Sequence, residues 1–113
     1  MRLSSTLLLS VAALSACAGQ LLFKVGAQGR QHLLEFVNAP IAAGCLFYAM
    51  GTAIWIYMLS SEKLINVYAF TALTFVLVYL GGVLLVGEKT SLPGMAGVLL
   101  ILAGLYLLTN FNP

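Results

Sequence analysis

Polar positions along this chain are so sparse that they act as punctuation. Arg2, Lys24, Arg30, Glu35, Glu62, Lys63, Glu88 and Lys89 are its only Asp, Glu, Lys or Arg residues. Between them lie charge-free runs at 3–23, 36–61, 64–87 and 90–113. A helix crossing the hydrocarbon of a bilayer needs about 20 mostly apolar residues, and every run is long enough. The pattern predicts membrane-spanning helices near 3–23, 39–60, 64–86 and 92–110. Nothing is left over for a soluble domain, so the chain reads as one four-helix transmembrane domain over 1–113, an all-α membrane protein.

The connections set the order of the helices in space. The first, 24–38, is the longest and most polar; in it Leu33, Leu34 and Val37 recur at helical spacing among Gln31, His32 and Glu35. That suits a short amphipathic turn on the membrane surface. Asn38-Ala39-Pro40 reads as a cap followed by proline in the first turn of the second helix. The second connection, about 60–63, and the third, about 87–93, are short enough to force their helices antiparallel. Pro93 fits the first turn of the fourth helix. The expected architecture is two helical hairpins with both chain ends on one side. Positive charge does not orient them, because Arg2 and Lys63 face Lys24, Arg30 and Lys89 across the bilayer, two against three.

Composition agrees with a lipid environment. Of the 113 residues 62% are hydrophobic and 7% charged, against roughly 25% charged in a soluble domain. The net charge of +2 is scattered, which excludes the clustered basic face of a nucleic-acid partner. The start of the chain resembles a lipoprotein signal, with Arg2, an apolar run and Leu14-Ser15-Ala16-Cys17. The apolar run nevertheless continues through Leu21-Leu22-Phe23 with no hydrophilic domain after it, so this segment is expected to be the first span. Cys17 and Cys45 sit inside spans, where a thiol behaves as a small hydrophobe.

Candidate chemistry is mostly uncharged. No Asp, Glu or His lies within any expected span, whereas proton-coupled transporters place an ionisable group at depth. His32 has no second ligand near it, so no metal or other cofactor is expected, and no residue set supports an enzyme. Gln20 and Lys24 are four apart and share a helical face at the end of the first span; the amide can hydrogen-bond a head group and the ammonium can meet a phosphate. The plainer reading is that Gln20 bonds a neighbouring helix while Lys24 snorkels. Trp55 and Tyr57 lie at the same expected depth as Asn66 and Tyr68, which would make an aromatic-lined mouth for a sugar or simply an interfacial belt. Thr71 and Thr74 continue Tyr68 inward along one face. Glu88 and Lys89 mark the end of the third span. Gly97 and Gly104, seven apart with Ala103 beside them, suit close helix approach, and the fourth helix is the candidate dimer seam.

These residues carry a resemblance. Gly19-Gln20 with Lys24, and the glycine heptad from Gly97 to Gly104, resemble the four-helix members of the drug/metabolite transporter superfamily, which includes the small multidrug resistance proteins. Ala18-Gly19-Gln20, Trp55 thirteen residues before Tyr68, and Tyr68 twenty before Glu88, with Phe75-Val76 and Val78 between, are similar to the ArnE/ArnF group. The resemblance implies an EmrE-like fold and flipping of undecaprenyl-phosphate-aminoarabinose in the bacterial inner membrane, for lipopolysaccharide (lipid A) modification. It also implies a homodimer, or a heterodimer with a homologous four-helix subunit. Two positions depart from the family. Drug-exporting relatives carry a glutamate where this chain has Ala16, and the group usually has proline where this chain has Ala69.

The function expected is therefore a lipid flippase acting on a polyprenyl-phosphate-linked sugar. Lys24 would meet the phosphate, Gln20, Tyr68 and Thr71 would bond the sugar, Trp55 would stack on it, and Glu88 completes the candidate set. Two other classes stand beside it: an exporter of hydrophobic cations, and a non-transporting subunit of a membrane glycosyltransferase system.

Overall fold

The structure is a computed structural model describing residues 2–111; Met1, Asn112 and Pro113 of the expected domain lie outside the described residues. Four helices form, α1 Leu3–Ala27, α2 Ala39–Leu59, α3 Leu64–Gly81 and α4 Leu92–Phe111. With the π-helical turn Gly82–Val86 that extends α3, all four are long and apolar enough to cross a membrane. α1 does not stop at the charge boundary but continues one turn further, so Lys24 sits within its last turn. It runs unbroken through Cys17, and both Cys17 and Cys45 are free thiols.

Local chemistry fixes the ends. Asn38 caps α2: its Oδ1 accepts from the Ile41 amide at 3.0 Å, satisfying one of the amides that a helix start leaves without a partner. Its Nδ2 donates to the Gly26 carbonyl at 3.0 Å and to the Glu35 carbonyl at 2.9 Å. One side chain thus ties the end of α1 to the start of α2. The apolar stretch of the first connection forms a single 3₁₀ turn, Leu33–Phe36. The third span ends through its π-helical turn at Gly87, whose φ of +82° is the left-handed conformation that glycine adopts at little cost. Ser91 opens α4 by accepting from the Gly94 amide at 3.2 Å.

Packing is dominated by α1 against α2. On α1 the buried residues Ser5, Ala12, Gly19 and Gly26 fall seven apart, and on α2 Gly44, Gly51 and Met58 do the same. A seven-residue repeat keeps one seam facing the partner as two helices wind about each other. The seam is tight because it lacks side chains. A Cβ placed on Gly19 would lie 2.8 Å from the Gly44 carbonyl oxygen, and one on Gly51 would lie 2.8 Å from that of Ala12. Lipid tails are as apolar as leucine, so close packing of this kind does the work that burial does in water.

A second line on α1, Leu9, Ala13 and Cys17, is buried at a spacing of four and continues to Leu21. The Leu21 side chain would stand 2.7 Å from a Cβ on Gly81 of α3. α3 therefore rests on α1, while α2 and α3 hardly touch except near their shared turn. There Leu9, Met58, Val67 and Phe70 form the core cluster. Beyond it Ser5 Oγ donates to Glu62 Oε1 at 2.6 Å, with Arg2 Nε 3.8 Å from the same oxygen. α4 packs mainly on α3 and contributes one buried residue, Val98. The molecule is a slab 18 Å thick and 36 Å wide rather than a closed bundle.

Replacing Gly19 by Leu should destabilise the fold by about 1–3 kcal/mol, the usual cost of overpacking. Gly97→Leu, where nothing lies within 4 Å of an added Cβ, should leave it within about 0.5 kcal/mol. Unfolding of the reconstituted chain in rising SDS, followed by helical circular dichroism, separates the two.

Candidate functional site

The seam between α1 and α2 and the rest of α3 on α1 leave a V-shaped space where α2 and α3 diverge. It is a cavity of about 340 Å³, within the range of small-molecule sites. α1 supplies its back wall through Leu9, Ala12, Ala13 and Ala16, three of them alanines. α2 contributes Tyr48, Gly51, Thr52 and Trp55, and α3 contributes Tyr68, Phe70, Thr71 and Thr74. No lining side chain is charged. The core cluster closes the end nearest the second connection, and the gap between α2 and α3 leaves the side open toward lipid.

Three of the expected site residues meet here. Trp55 and Tyr68 lie on opposite walls, each about 6 Å in from the end of its helix at 1.5 Å per residue. Thr71 follows Tyr68 one turn deeper. Trp55 is held by its Nε1, which donates to the Val67 carbonyl at 3.4 Å. That bond spans the narrow end of the V and leaves the indole ring as the wall. Thr74 Oγ1 donates to the Phe70 carbonyl at 3.3 Å.

The other expected residues lie elsewhere. Gln20 and Lys24 are exposed, on the continuation of the Ala16 face toward the far membrane surface. Lys24 is eight residues past Ala16, about 12 Å along the axis. Glu88 lies beyond the π-helical turn, with its amide donating to the Gly82 carbonyl at 2.9 Å and its carboxylate folded back over Gly82. It is at the opposite end of α3 from Tyr68. Tyr57 points outward, 68% exposed, and Asn66 does not line the cavity; its buried Oδ1 has no partner among the described residues. Gly97 and Gly104 are open, each with nothing within 4 Å of an added Cβ.

Tyr48 and Thr52 are lining residues that the sequence reading missed. With Trp55 they sit at i, i+4 and i+7, one face of α2, and that spacing was the available signal. Ala16 has a further meaning: the position at which drug-exporting relatives carry a glutamate is on the cavity wall, and here it is a methyl group. A second, shallower groove between α3 and α4 shares Tyr68 and Thr71 with the cavity and is otherwise lined by apolar residues such as Phe75, Ile101 and Leu108.

Comparison with known proteins places this sequence in a family. No family model matches the chain, and no solved structure matches it. Curated relatives do. The chain is 31% identical over 111 residues to a protein of Yersinia pseudotuberculosis serotype O:3 (strain YPIII), covering 95% of this chain and 97% of the relative. A protein of Yersinia pestis (strain Pestoides F) matches at the same identity and coverage. Both are described as a probable 4-amino-4-deoxy-L-arabinose-phosphoundecaprenol flippase subunit, ArnE. An alignment that runs nearly end to end through four membrane-spanning helices leaves one assignment: this multi-pass membrane protein belongs to the ArnE family of flippase subunits, which are transporters and not enzymes.

Proposed function

We propose that this chain is a subunit of a flippase that carries a polyprenyl-phosphate-linked sugar across the bacterial inner membrane. The observation that carries the reading is the side-open cavity between α2 and α3, walled by Trp55, Tyr68 and Thr71. A polyprenyl tail can remain in lipid while only its head group enters through such an opening. Aromatic faces suit the apolar face of a sugar ring, and the threonine and tyrosine hydroxyls can donate or accept as its hydroxyls require. Lys24 and Gln20 complete the route. The ammonium stands at the membrane surface to meet the phosphate, the amide lies one turn deeper, and the cavity begins one turn beyond that at Ala16. Glu88 is on the same surface as Lys24 and would act at that entrance.

A single chain does not enclose this route. The cavity is open on one side, and α4, which packs mainly on α3, leaves most of its surface uncovered by its own chain. A second four-helix subunit, the same chain or a homologue, would close the path, with α4 as its seam along Gly97 and Gly104. The cation-exporter reading lacks its central requirement, because the cavity wall carries Ala16 and no carboxylate.

The test is scrambling of a polyprenyl-phosphate sugar in reconstituted vesicles, followed by its accessibility to impermeant periodate. Wild type should accelerate exposure over protein-free vesicles. Trp55→Ala, Tyr68→Ala and Lys24→Ala should each slow it by about tenfold, equivalent to about 1.4 kcal/mol in the crossing state. Wild-type vesicles no faster than empty ones, with folded and associated protein, would refute self-sufficient flipping. The seam is tested separately. Gly97→Leu and Gly104→Leu should weaken association at least about tenfold in bilayer energy-transfer titrations. Unchanged association would exclude α4.

A further inference from the structure

Besides the cavity, α3 borders a second hollow. Between α3 and α4 runs a groove of about 380 Å³ that shares Tyr68 and Thr71 with the cavity. Its other walls are Ala69, Ala72 and Phe75 of α3 and Ile101 and Leu108 of α4, none with a polar side-chain atom. Tyr68 to Phe75 on α3 and Ile101 to Leu108 on α4 each cover about 10 Å of helix, so the groove follows both helices for that length.

The two hollows lie on either side of one stretch of α3, and they differ in polarity. The cavity gathers the hydroxyls of Tyr48, Thr52 and Thr74 around the Trp55 ring. The groove has no hydroxyl beyond those of Tyr68 and Thr71, which stand on the ridge between the two. A polar hollow and an apolar one, joined across a ridge, match the two halves of an amphiphile. A sugar in the cavity has α1 behind it and the core cluster at one end, so its link to a lipid chain leaves by the open side. On the α3 side of that opening the next hollow is the groove. Lipid tails are as apolar as these walls, so a chain is held there by fit. Ala69 and Ala72 leave room for a methyl-branched chain, and Phe75, Ile101 and Leu108 supply the contact.

Resting on the flippase reading, we infer that the α3–α4 groove is a binding site for the polyprenyl chain of the substrate. The first isoprene units lie in the groove while the sugar lies in the cavity, and α3 separates them. Two other occupants compete for the groove. One is a phospholipid acyl chain. The other is a helix of a second copy, because Gly97 and Gly104 share the α4 face of Ile101 and Leu108.

The test uses the full-length protein in lipid nanodiscs and 4-amino-4-deoxy-arabinosyl polyprenyl phosphate carrying a diazirine in its first few isoprene units. Mass spectrometry locates the photolabel. The fluorescence of Trp55, the only tryptophan in the chain, reports the head group in the cavity. Label should concentrate on Ala72, Phe75 and Ile101, and phosphatidylglycerol with the same diazirine should label them at least about tenfold less. Ala72→Phe fills the groove from a position outside the cavity; it should cut the label about tenfold and leave the Trp55 response in place. Leu99→Phe, at an exposed position of α4 outside the groove, should change neither. Three results with an intact Trp55 response would overturn the chain site and leave the flippase reading standing: label scattered over lipid-facing residues, equal labelling by phosphatidylglycerol, or undiminished label in Ala72→Phe. Label present in nanodiscs holding one copy and lost in those holding two would give the groove to the second copy, and would overturn the chain site as well. Neither label nor Trp55 response from folded protein would overturn both readings.

Discussion

Everything in this molecule depends on the absence of side chains at one line of contact. Gly19 and Gly44 bring the backbones of α1 and α2 together, and Gly51 repeats the approach against Ala12 two turns away. In water a helix pair of this size would be held by burying leucines. In lipid that drive vanishes, and contact must come from atoms that fit closely. Because α1 commits one face to α2 and a second line, Leu9 to Leu21, to α3, it becomes the spine of the slab. α2 and α3 then diverge from each other, and their divergence is the cavity.

The polar features follow from that spine. Asn38 uses both ends of its amide to secure α1 to α2 at one surface, through Gly26 and Ile41. Ser5 and Glu62 secure α1 to the α2–α3 turn at the other. These bonds sit at the helix ends, where water can solvate whatever they leave unpaired. The interior is left to hydroxyls, alanines and aromatic rings. The charges that help hold the arrangement together stay at its ends, and the site inherits the neutrality of the interior.

Much of the fold was legible because charge in a membrane protein marks the boundaries. Arg2, Glu62 with Lys63, and Glu88 with Lys89 bracket spans whose helices begin and end within a few residues of the reading. The exception is informative. Lys24 did not end α1, since a lysine near a helix end can extend its stem to the surface and the backbone need not stop for it. The packing was less legible. The helices are apolar all round, so a face turned to lipid and a face turned to protein look alike, and hydrophobic periodicity carries no signal. Glycine spacing does carry one, yet it was read only at Gly97 and Gly104, where an added Cβ would meet nothing within 4 Å, and overlooked at Gly44 and Gly51. Of the candidate site residues, Trp55, Tyr68 and Thr71 line the cavity together, since the short second connection fixes their common depth. Gln20 and Lys24 were grouped with them by chemistry, whereas the structure sets them about 12 Å or less along the axis from Ala16, on the approach to the cavity.

The bond from Trp55 to the Val67 carbonyl joins α2 to α3 close to their turn, and the two helices separate beyond it. In mechanical terms that point is a fulcrum with long arms. From Val67 to Gly81 is about 21 Å, so a tilt of about 10° would carry that end, which rests on Leu21 of α1, roughly 4 Å. A displacement barely felt at the tryptophan would thus widen the far mouth by the width of a strand of chain, with α4 swung along as a passenger on α3. A small change of contact at the indole ring would be levered into a larger one at the opposite membrane surface.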